Sequence, residues 1–152
     1  MTMTTKSSSE KKVTDAPILV SDYMTKKLIT FTADQSILEV MEVFAKNHIS
    51  GGPVLDSRGA IVGIISEADC MKQISESRYF NMPILEKSVE IYMTKDVETI
   101  DSDKSIFDAA AIFASNGRRR LPVIDIKGKL VGQISRKDIV VAALKLSSYN
   151  YK

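Results

Sequence analysis

Two tetrapeptides hold the residues best suited to chemistry, Ser66-Glu67-Ala68-Asp69 and Ser135-Arg136-Lys137-Asp138. In each, a hydroxyl and a carboxylate stand three positions apart at the predicted start of a helix. Three residues turn about 300°, so both side chains lie on nearly one side. A helix start carries unpaired N–H groups and the positive end of the macrodipole, and so favours anions and oxygen acceptors. The same Ser-x-x-Asp pattern is also a helix cap, complete without a ligand. Arg118, Arg119 and Arg120 are the second feature. The planar fork of arginine matches phosphate oxygens; the alternative is a solvated basic corner paired with acidic neighbours. Lys137 adds a cation at a helix start, where cations are otherwise disfavoured. His48, the only histidine, falls near a helix end, a place that suits a cation on dipole grounds alone. Cys70, the only cysteine, follows Asp69 on the helix, a packing position rather than a reactive one. No nucleophile–base pair, metal-ligand spacing or Gly-rich phosphate loop accompanies these residues, so they read as a binding site and not an enzyme's.

The elements that position them come in two copies. The stretch His48–Asp69 returns as Gly117–Asp138, offset by 69 residues, and the register holds without a gap from Tyr23/Tyr92 to Met71/Val140. Twenty of those 49 paired positions are identical, which makes an internal repeat the first fact about the architecture. Each copy opens on Tyr-Met-Thr. Leu28–Thr32 and Val97–Asp101 read as strands. Ser36 and Ser105 cap helices, with Glu39 reaching back in a full capping box and Asp108 in a shorter-armed version. Ile37, Val40, Met41 and Phe44, and Ile106, Ala109, Ala110 and Phe113, set apolar stripes at helical spacing. These helices end near Asn47 and Asn116, and Gly117 suits the left-handed terminal position. Pro53–Asp56 and Pro122–Asp125 are short strands, followed by Gly-containing turns and by longer strands, Ala60–Ser66 and Lys129–Ser135. A last helix follows each Ser. Two copies are too few for a solenoid. The economical fold is α/β (α+β): two β-α-β-β-α repeats packed through their sheets with pseudo-two-fold symmetry.

Bulk numbers set the frame. At 152 residues the chain is one domain's worth and needs no staples. The boundaries predicted are a polar disordered tail at 1–15, a first repeat at 16–75, a packed connector at 76–88, a second repeat at 89–147 and a C-terminal tail at 148–152. A single cysteine allows no intrachain disulfide and fits a reducing, cytoplasmic setting. No apolar run approaches a membrane span, and the polar N-terminus is no secretory signal. The net charge of +2 and the lack of aromatic–basic alternation argue against nucleic acid.

The order β-α-β-β-α, the phrases GPVLD and LPVID, hairpins ending in IVGIIS and LVGQIS, the leading Tyr-Met-Thr and the closing Ser-x-x-Asp together resemble the CBS domain family, from about Ser21 to Leu146. The resemblance implies two repeats packed into a compact disc with two clefts, where adenosine-containing ligands bind. It implies that Asp69 and Asp138 accept hydrogen bonds from the ribose hydroxyls, as a carboxylate can from a diol. Ser66 and Ser135 would add sugar or phosphate contacts. Arg119 and Arg120 match the family's basic positions ahead of the strand proline, and Lys137 would share the phosphate. The base would rest around Ile29, Thr30 and Pro53 in one copy and Glu98, Thr99 and Pro122 in the other. The first copy departs from the pattern: Ser50, Gly51, Glu67 and Ala68 stand where Arg119, Arg120, Arg136 and Lys137 stand. Family members differ in which repeat supplies phosphate contacts, so the arginines could serve either cleft. The implied function is a regulatory module, likened to a stand-alone tandem CBS pair, that senses AMP, ADP or ATP, or S-adenosylmethionine. It would require no cofactor, would homodimerise and would signal to a regulated protein. The alternative from a different class is an interaction or assembly module that binds no nucleotide.

Overall fold

The computed structural model describes residues 17–79 and 86–150. Its elements are α1 (Val20–Tyr23), β1 (Phe31–Thr32), α2 (Ile37–Asn47), β2 (Gly51–Leu55), β3 (Ile61–Ser66), α3 (Glu67–Tyr79), α4 (Val89–Tyr92), β4 (Ile100–Asp101), α5 (Ile106–Asn116), β5 (Arg120–Ile124), β6 (Leu130–Ser135) and α6 (Arg136–Asn150). They make two mixed α and β units, each around one three-stranded sheet. The first unit holds Lys27–Glu98 and Lys127–Leu130; the second holds Thr99–Ile126, the chain from Val131 onward, and the segment that ends at Lys26. The leading segment of each copy therefore packs on the sheet and helices of the other copy.

In the first unit the sheet order is β1-β2-β3. β1 runs parallel to β2 (Phe31↔Val54), and β2 runs antiparallel to β3 (Gly51↔Ser66, Val54↔Gly63), with a bulge between Val54 and Leu55. Thr94 lines the far edge of β3, where it and Ile64 exchange two N–H···O bonds of 2.9 Å. Phe31, Ile37, Val40, Phe44, Val54, Ile65, Val89 and Tyr92 close the core, with the Phe31 and Phe44 rings edge to face at 5.6 Å. The second unit repeats this plan in the order β4-β5-β6. Thr25 exchanges bonds of 2.8 and 2.9 Å with Gln133 on β6. Val20 is fully buried among Ile100, Leu121, Val123 and Ile134. The lead-in to α1 is tied down by Val20 N–H on the Lys104 carbonyl and Ile106 N–H on the Ile18 carbonyl, both at 2.8 Å.

Glycine is required where these leading segments cross the sheets. A Cβ on Gly132 would lie 2.6 Å from Met24 Sδ and 2.8 Å from the Thr25 carbonyl oxygen. A Cβ on Gly63 would lie 2.6 Å from Met93 Sδ and 3.0 Å from the Thr94 carbonyl oxygen. The paired Tyr-Met-Thr and the paired sheet glycines are thus two halves of one contact, made crosswise. The tyrosines differ. The Tyr92 hydroxyl donates to the Glu76 carboxylate, and this bond, then burial and the charge of Glu76, push its pKa up to about 12. Tyr23 donates to the Pro17 carbonyl at 2.9 Å, and Lys145 Nζ stands 5.6 Å from its ring centroid. Glu76 and Lys145 occupy equivalent places in the two copies.

Several local expectations need correction. The strands predicted over Leu28–Thr32 and Val97–Asp101 shrink to two residues each. One step back from Phe31↔Val54, Thr30 would face Pro53, which has no N–H to give the ladder; Thr99 and Pro122 repeat the situation. The capping boxes are reversed in quality. Ser105 and Asp108 form the full reciprocal box, with Ser105 N–H on Asp108 Oδ2 at 3.1 Å and Asp108 N–H on Ser105 Oγ at 3.1 Å. At Ser36 only the Glu39 N–H bond forms, at 3.1 Å, and the Glu39 carboxylate takes the Gln35 amide instead. The Ser105 bonds hold the Asp108 carboxyl below the usual carboxylate range. Ser105→Ala is expected to destabilise the protein by about 1 kcal/mol, read as a lower denaturant midpoint with an unchanged slope.

The predicted ends of α2 and α5 stand, with Gly117 left-handed at φ 71°. α6 runs on through Asn150, past the tail predicted from 148, because no glycine or proline follows Gly132 to stop it. α3 runs to Tyr79, into the predicted connector. Of the rest of that connector, 80–85 lie outside the described residues, as does the predicted tail at 1–15, while the Lys87 carbonyl accepts from Ile37 N–H at 2.9 Å. No helix among the described residues is long and apolar enough to cross a membrane.

Candidate functional site

The two Ser-x-x-Asp sequences fold alike. Each serine ends a strand and each aspartate sits in the first turn of the helix that follows. Ser66 N–H donates to Asp69 Oδ2 at 2.8 Å, the Ser66 hydroxyl donates to the same oxygen at 2.9 Å, and Asp69 N–H returns to Ser66 Oγ at 3.4 Å. In the second unit Ser135 N–H donates to Asp138 Oδ2 at 2.8 Å, and Asp138 N–H to Ser135 Oγ at 3.2 Å. The capping reading is therefore correct for both copies. It engages one carboxylate oxygen, and Oδ1 takes no part in either box, so capping and ligand contact are compatible. Asp69 is buried at 6% exposure, whereas Asp138 is half-buried and more open to a ligand.

The neighbourhoods of the two helix starts differ in charge. In the second unit the Arg119 carbonyl accepts from Arg136 N–H at 3.0 Å, which joins the arginine loop to the first residue of α6. Arg119, Arg120, Arg136 and Lys137 are all exposed there. Arg120 begins β5 and is followed by buried Leu121 and Pro122. In the first unit Glu67 N–H donates to the Ser50 carbonyl at 2.9 Å, the same backbone tie, but the four matching positions carry one carboxylate and no cation.

The residues predicted for the base pocket are less unified. Pro53 is buried in β2 opposite Ile64, while Ile29 and Thr30 are exposed ahead of β1. The Ile29 carbonyl lies 3.0 Å from where a Cβ on Gly52 would stand, which brings this stretch beside the start of β2. Glu98 is exposed and groups with the first unit, Thr99 with the second. Thr99 precedes the Ile100↔Val123 pair as Pro122 precedes Val123. A pocket of about 370 Å³ runs along β4 and α5, lined by Thr99, Asp101, Lys104, Asp108 and Ile112; of the predicted site residues it touches only Thr99.

Sequence reasoning missed two features. One is the side chain of Arg136, whose Nε donates to the Arg118 carbonyl at 2.7 Å; its signal was an arginine where the first copy has Glu67. The other is Gln73, fully enclosed on α3, with neither amide atom hydrogen-bonded among the described residues. Its equivalent is buried Ala142. Cys70 is enclosed too, and burial, with Asp69 and Glu67 adding to it, pushes its thiol up to about 11, which removes it from nucleophilic chemistry. His48 sits left-handed (φ 54°) at the C-terminal cap of α2, a backbone role. Among the described residues no cluster of His, Cys, Asp and Glu could hold a metal ion.

The family model of the CBS domain matches twice, over residues 20–76 and 88–145. The chain belongs to the CBS domain family. The uncharacterized protein MJ1426 of Methanocaldococcus jannaschii is 32% identical, over 84% of this chain and 92% of its own. The crystal structure of CBSX2 in complex with AMP superposes with a TM-score of 0.73 at 28% identity, covering 86% of this chain and 99% of the other; CBSX2 is a CBS-pair protein from Arabidopsis thaliana. The CBS domain pair of protein MJ0100, in complex with 5-methylthioadenosine and S-adenosyl-L-methionine, gives a TM-score of 0.65 at 29% identity, over 85% and 98% of the two chains. The tandem CBS repeat and the α+β fold predicted from the sequence are both confirmed.

Proposed function

We propose that this chain is a regulatory CBS pair that binds an adenosine-containing ligand, an adenine nucleotide foremost, and passes its occupancy to a partner protein. The observation that carries this reading is the second unit's helix start. There Asp138 offers a carboxylate oxygen outside its capping box, and the arginine loop is hydrogen-bonded to the same turn. A diol and a phosphate on one molecule fit that pair of features, and adenosyl compounds are what CBSX2 and MJ0100 hold in their complexes. In this reading Asp138 and Ser135 take the ribose, Arg119, Arg120 and Lys137 the phosphate, and Thr99 and Pro122 flank the base. Asp69, Ser66, Ile29, Thr30, Pro53 and Glu98 form a second place with less positive charge, suited to a ligand with fewer phosphates. The protein performs no catalysis and acts in the cytoplasm. It pairs with a second copy through exposed apolar side chains such as Phe107, Val140 and Leu144, at 62%, 58% and 66% exposure. Ile139, on the same helix as Val140 and Leu144, is partly buried against the second unit's core.

The test is thermal unfolding with AMP, ADP, ATP, S-adenosylmethionine, NAD and a cyclic dinucleotide. A ligand at 100 times its dissociation constant should add about 2.7 kcal/mol and raise the midpoint visibly. No shift with any compound at millimolar concentration would defeat the sensor reading and favour an assembly module that works through the apolar face alone.

A further inference from the structure

We infer that Arg136 is a positioning residue, a strut that holds the Arg118–Arg120 loop against the start of α6 so that the loop and Asp138 act as one anion-binding surface. The inference deepens the nucleotide reading above and rests on it for the identity of the anion. Two successive loop carbonyls are held from α6, and the turn before them is fixed locally. Gly117 turns the chain left-handed, Arg118 N–H donates to Asn116 Oδ1 at 3.0 Å, and the carbonyls of Arg118 and Arg119 are both taken by Arg136, through Nε at 2.7 Å and through its backbone N–H at 3.0 Å.

Arginine can make the side-chain tie without committing its charged tip to it. The Nε–H points sideways from the planar fork and reaches the Arg118 carbonyl at 2.7 Å, so the terminal N–H groups project past it; a lysine bonded to that carbonyl would hold its whole ammonium there. The first unit supplies the control within the molecule. Glu67 keeps the backbone tie to Ser50, but a carboxylate cannot donate to a carbonyl, and the loop it would hold carries no arginine. The cost of the second unit's arrangement also points to an anion. Arg119, Arg120, Arg136 and Lys137, all exposed, stand on the two segments that the Arg119–Arg136 backbone tie joins at the start of α6, where cations oppose the dipole. A strut that adds one more cation to hold this array stabilises nothing by charge. A ligand with two or more negative charges relieves all of it.

The experiment is calorimetric titration of the full chain with AMP, adenosine and inorganic tripolyphosphate. The proteins are wild type, Arg136→Gln, Arg136→Lys, the Arg119→Gln/Arg120→Gln double variant and the triple variant with Arg136→Gln. Arg136→Gln is expected to weaken AMP and tripolyphosphate about tenfold, the scale of one charge-assisted hydrogen bond, and to leave adenosine unchanged. Arg136→Lys should fail to restore them. In the double-variant background the further loss from Arg136→Gln should be under about twofold, since a strut has nothing left to position. Additive losses would mean that Arg136 touches the ligand itself and would overturn the positioning role. Unchanged AMP and tripolyphosphate affinities in Arg136→Gln would overturn it outright, as would a wild type that binds adenosine and AMP equally and ignores tripolyphosphate, a result that leaves the adenosyl reading standing. Tripolyphosphate binding with the expected pattern, but no AMP or adenosine binding, would uphold the strut and defeat the nucleotide reading.

Discussion

Asp138→Ala is expected to weaken AMP binding roughly 100-fold, because a carboxylate that accepts both ribose hydroxyls makes two charge-assisted hydrogen bonds whose joint loss is about 3 kcal/mol. The substitution also removes the Asp138 half of the capping box, whose Oδ2 takes Ser135 N–H at 2.8 Å. That loss lowers the stability of the free protein by about 1 kcal/mol. The two effects separate experimentally. Affinity is measured by calorimetry far below the unfolding midpoint, and stability by denaturant titration without ligand. Asp138→Asn sharpens the test, since the amide oxygen can still accept from Ser135 N–H while the charge is gone. It should recover most of the stability and little of the affinity. Asp69→Ala should disturb AMP much less, because Asp69 is at 6% exposure and its helix start has Glu67 and Ala68 in place of Arg136 and Lys137. An AMP affinity untouched by Asp138→Ala but lost in Asp69→Ala would mean that the first copy, not the charged one, holds the nucleotide.

Gly132→Ala should be the most damaging single methyl group in the chain. Its Cβ would meet Met24 Sδ at 2.6 Å, Met24 Cγ at 3.0 Å and the Thr25 carbonyl oxygen at 2.8 Å. The methionine can swing away, but the Thr25 oxygen cannot, because that oxygen accepts from Gln133 N–H at 2.9 Å. Relief must come from prying the leading segment off β6, which drags buried Val20 with it. A loss of about 3 kcal/mol is expected, at the upper end for overpacking. In a protein of this size that lowers the midpoint by roughly 6–12 °C. Adding Met24→Ala should recover only part of the loss, because the carbonyl contact remains. Gly63→Ala, facing Met93 and Thr94 in the first unit, should behave the same way. Normal stability in Gly132→Ala would show that the leading segment does not lie on β6 as described.

What could be read from the sequence was whatever is settled between residues a few positions apart, and whatever is written twice. The repeat told of two equivalent units. The Ser-x-x-Asp boxes, the helix ends at Asn47 and Asn116 and the left-handed Gly117 all depend on bonds that span at most a few residues, so composition and spacing were enough. The arginine cluster against Ser50 and Gly51 likewise showed its asymmetry in the bare letters. Even at this range the letters misjudged fine geometry: Asp108 closes its box, and Glu39 is drawn to Gln35.

The tertiary structure decided how the pieces are shared. Both copies begin with the same Tyr-Met-Thr, and Gly63 and Gly132 stand in closely similar local sequence, IVGIIS and LVGQIS, so no local preference could say which methionine lies over which glycine. The crosswise choice is made by backbone bonds and core burial between opposite ends of the chain, Thr25 on Gln133 and Val20 beneath Leu121. The same holds for Tyr92 with Glu76 and for Arg136 with the Arg118 carbonyl. These contacts join residues that share no sequence pattern, and their energies come from burial and hydrogen bonding that exist only once the sheets have formed.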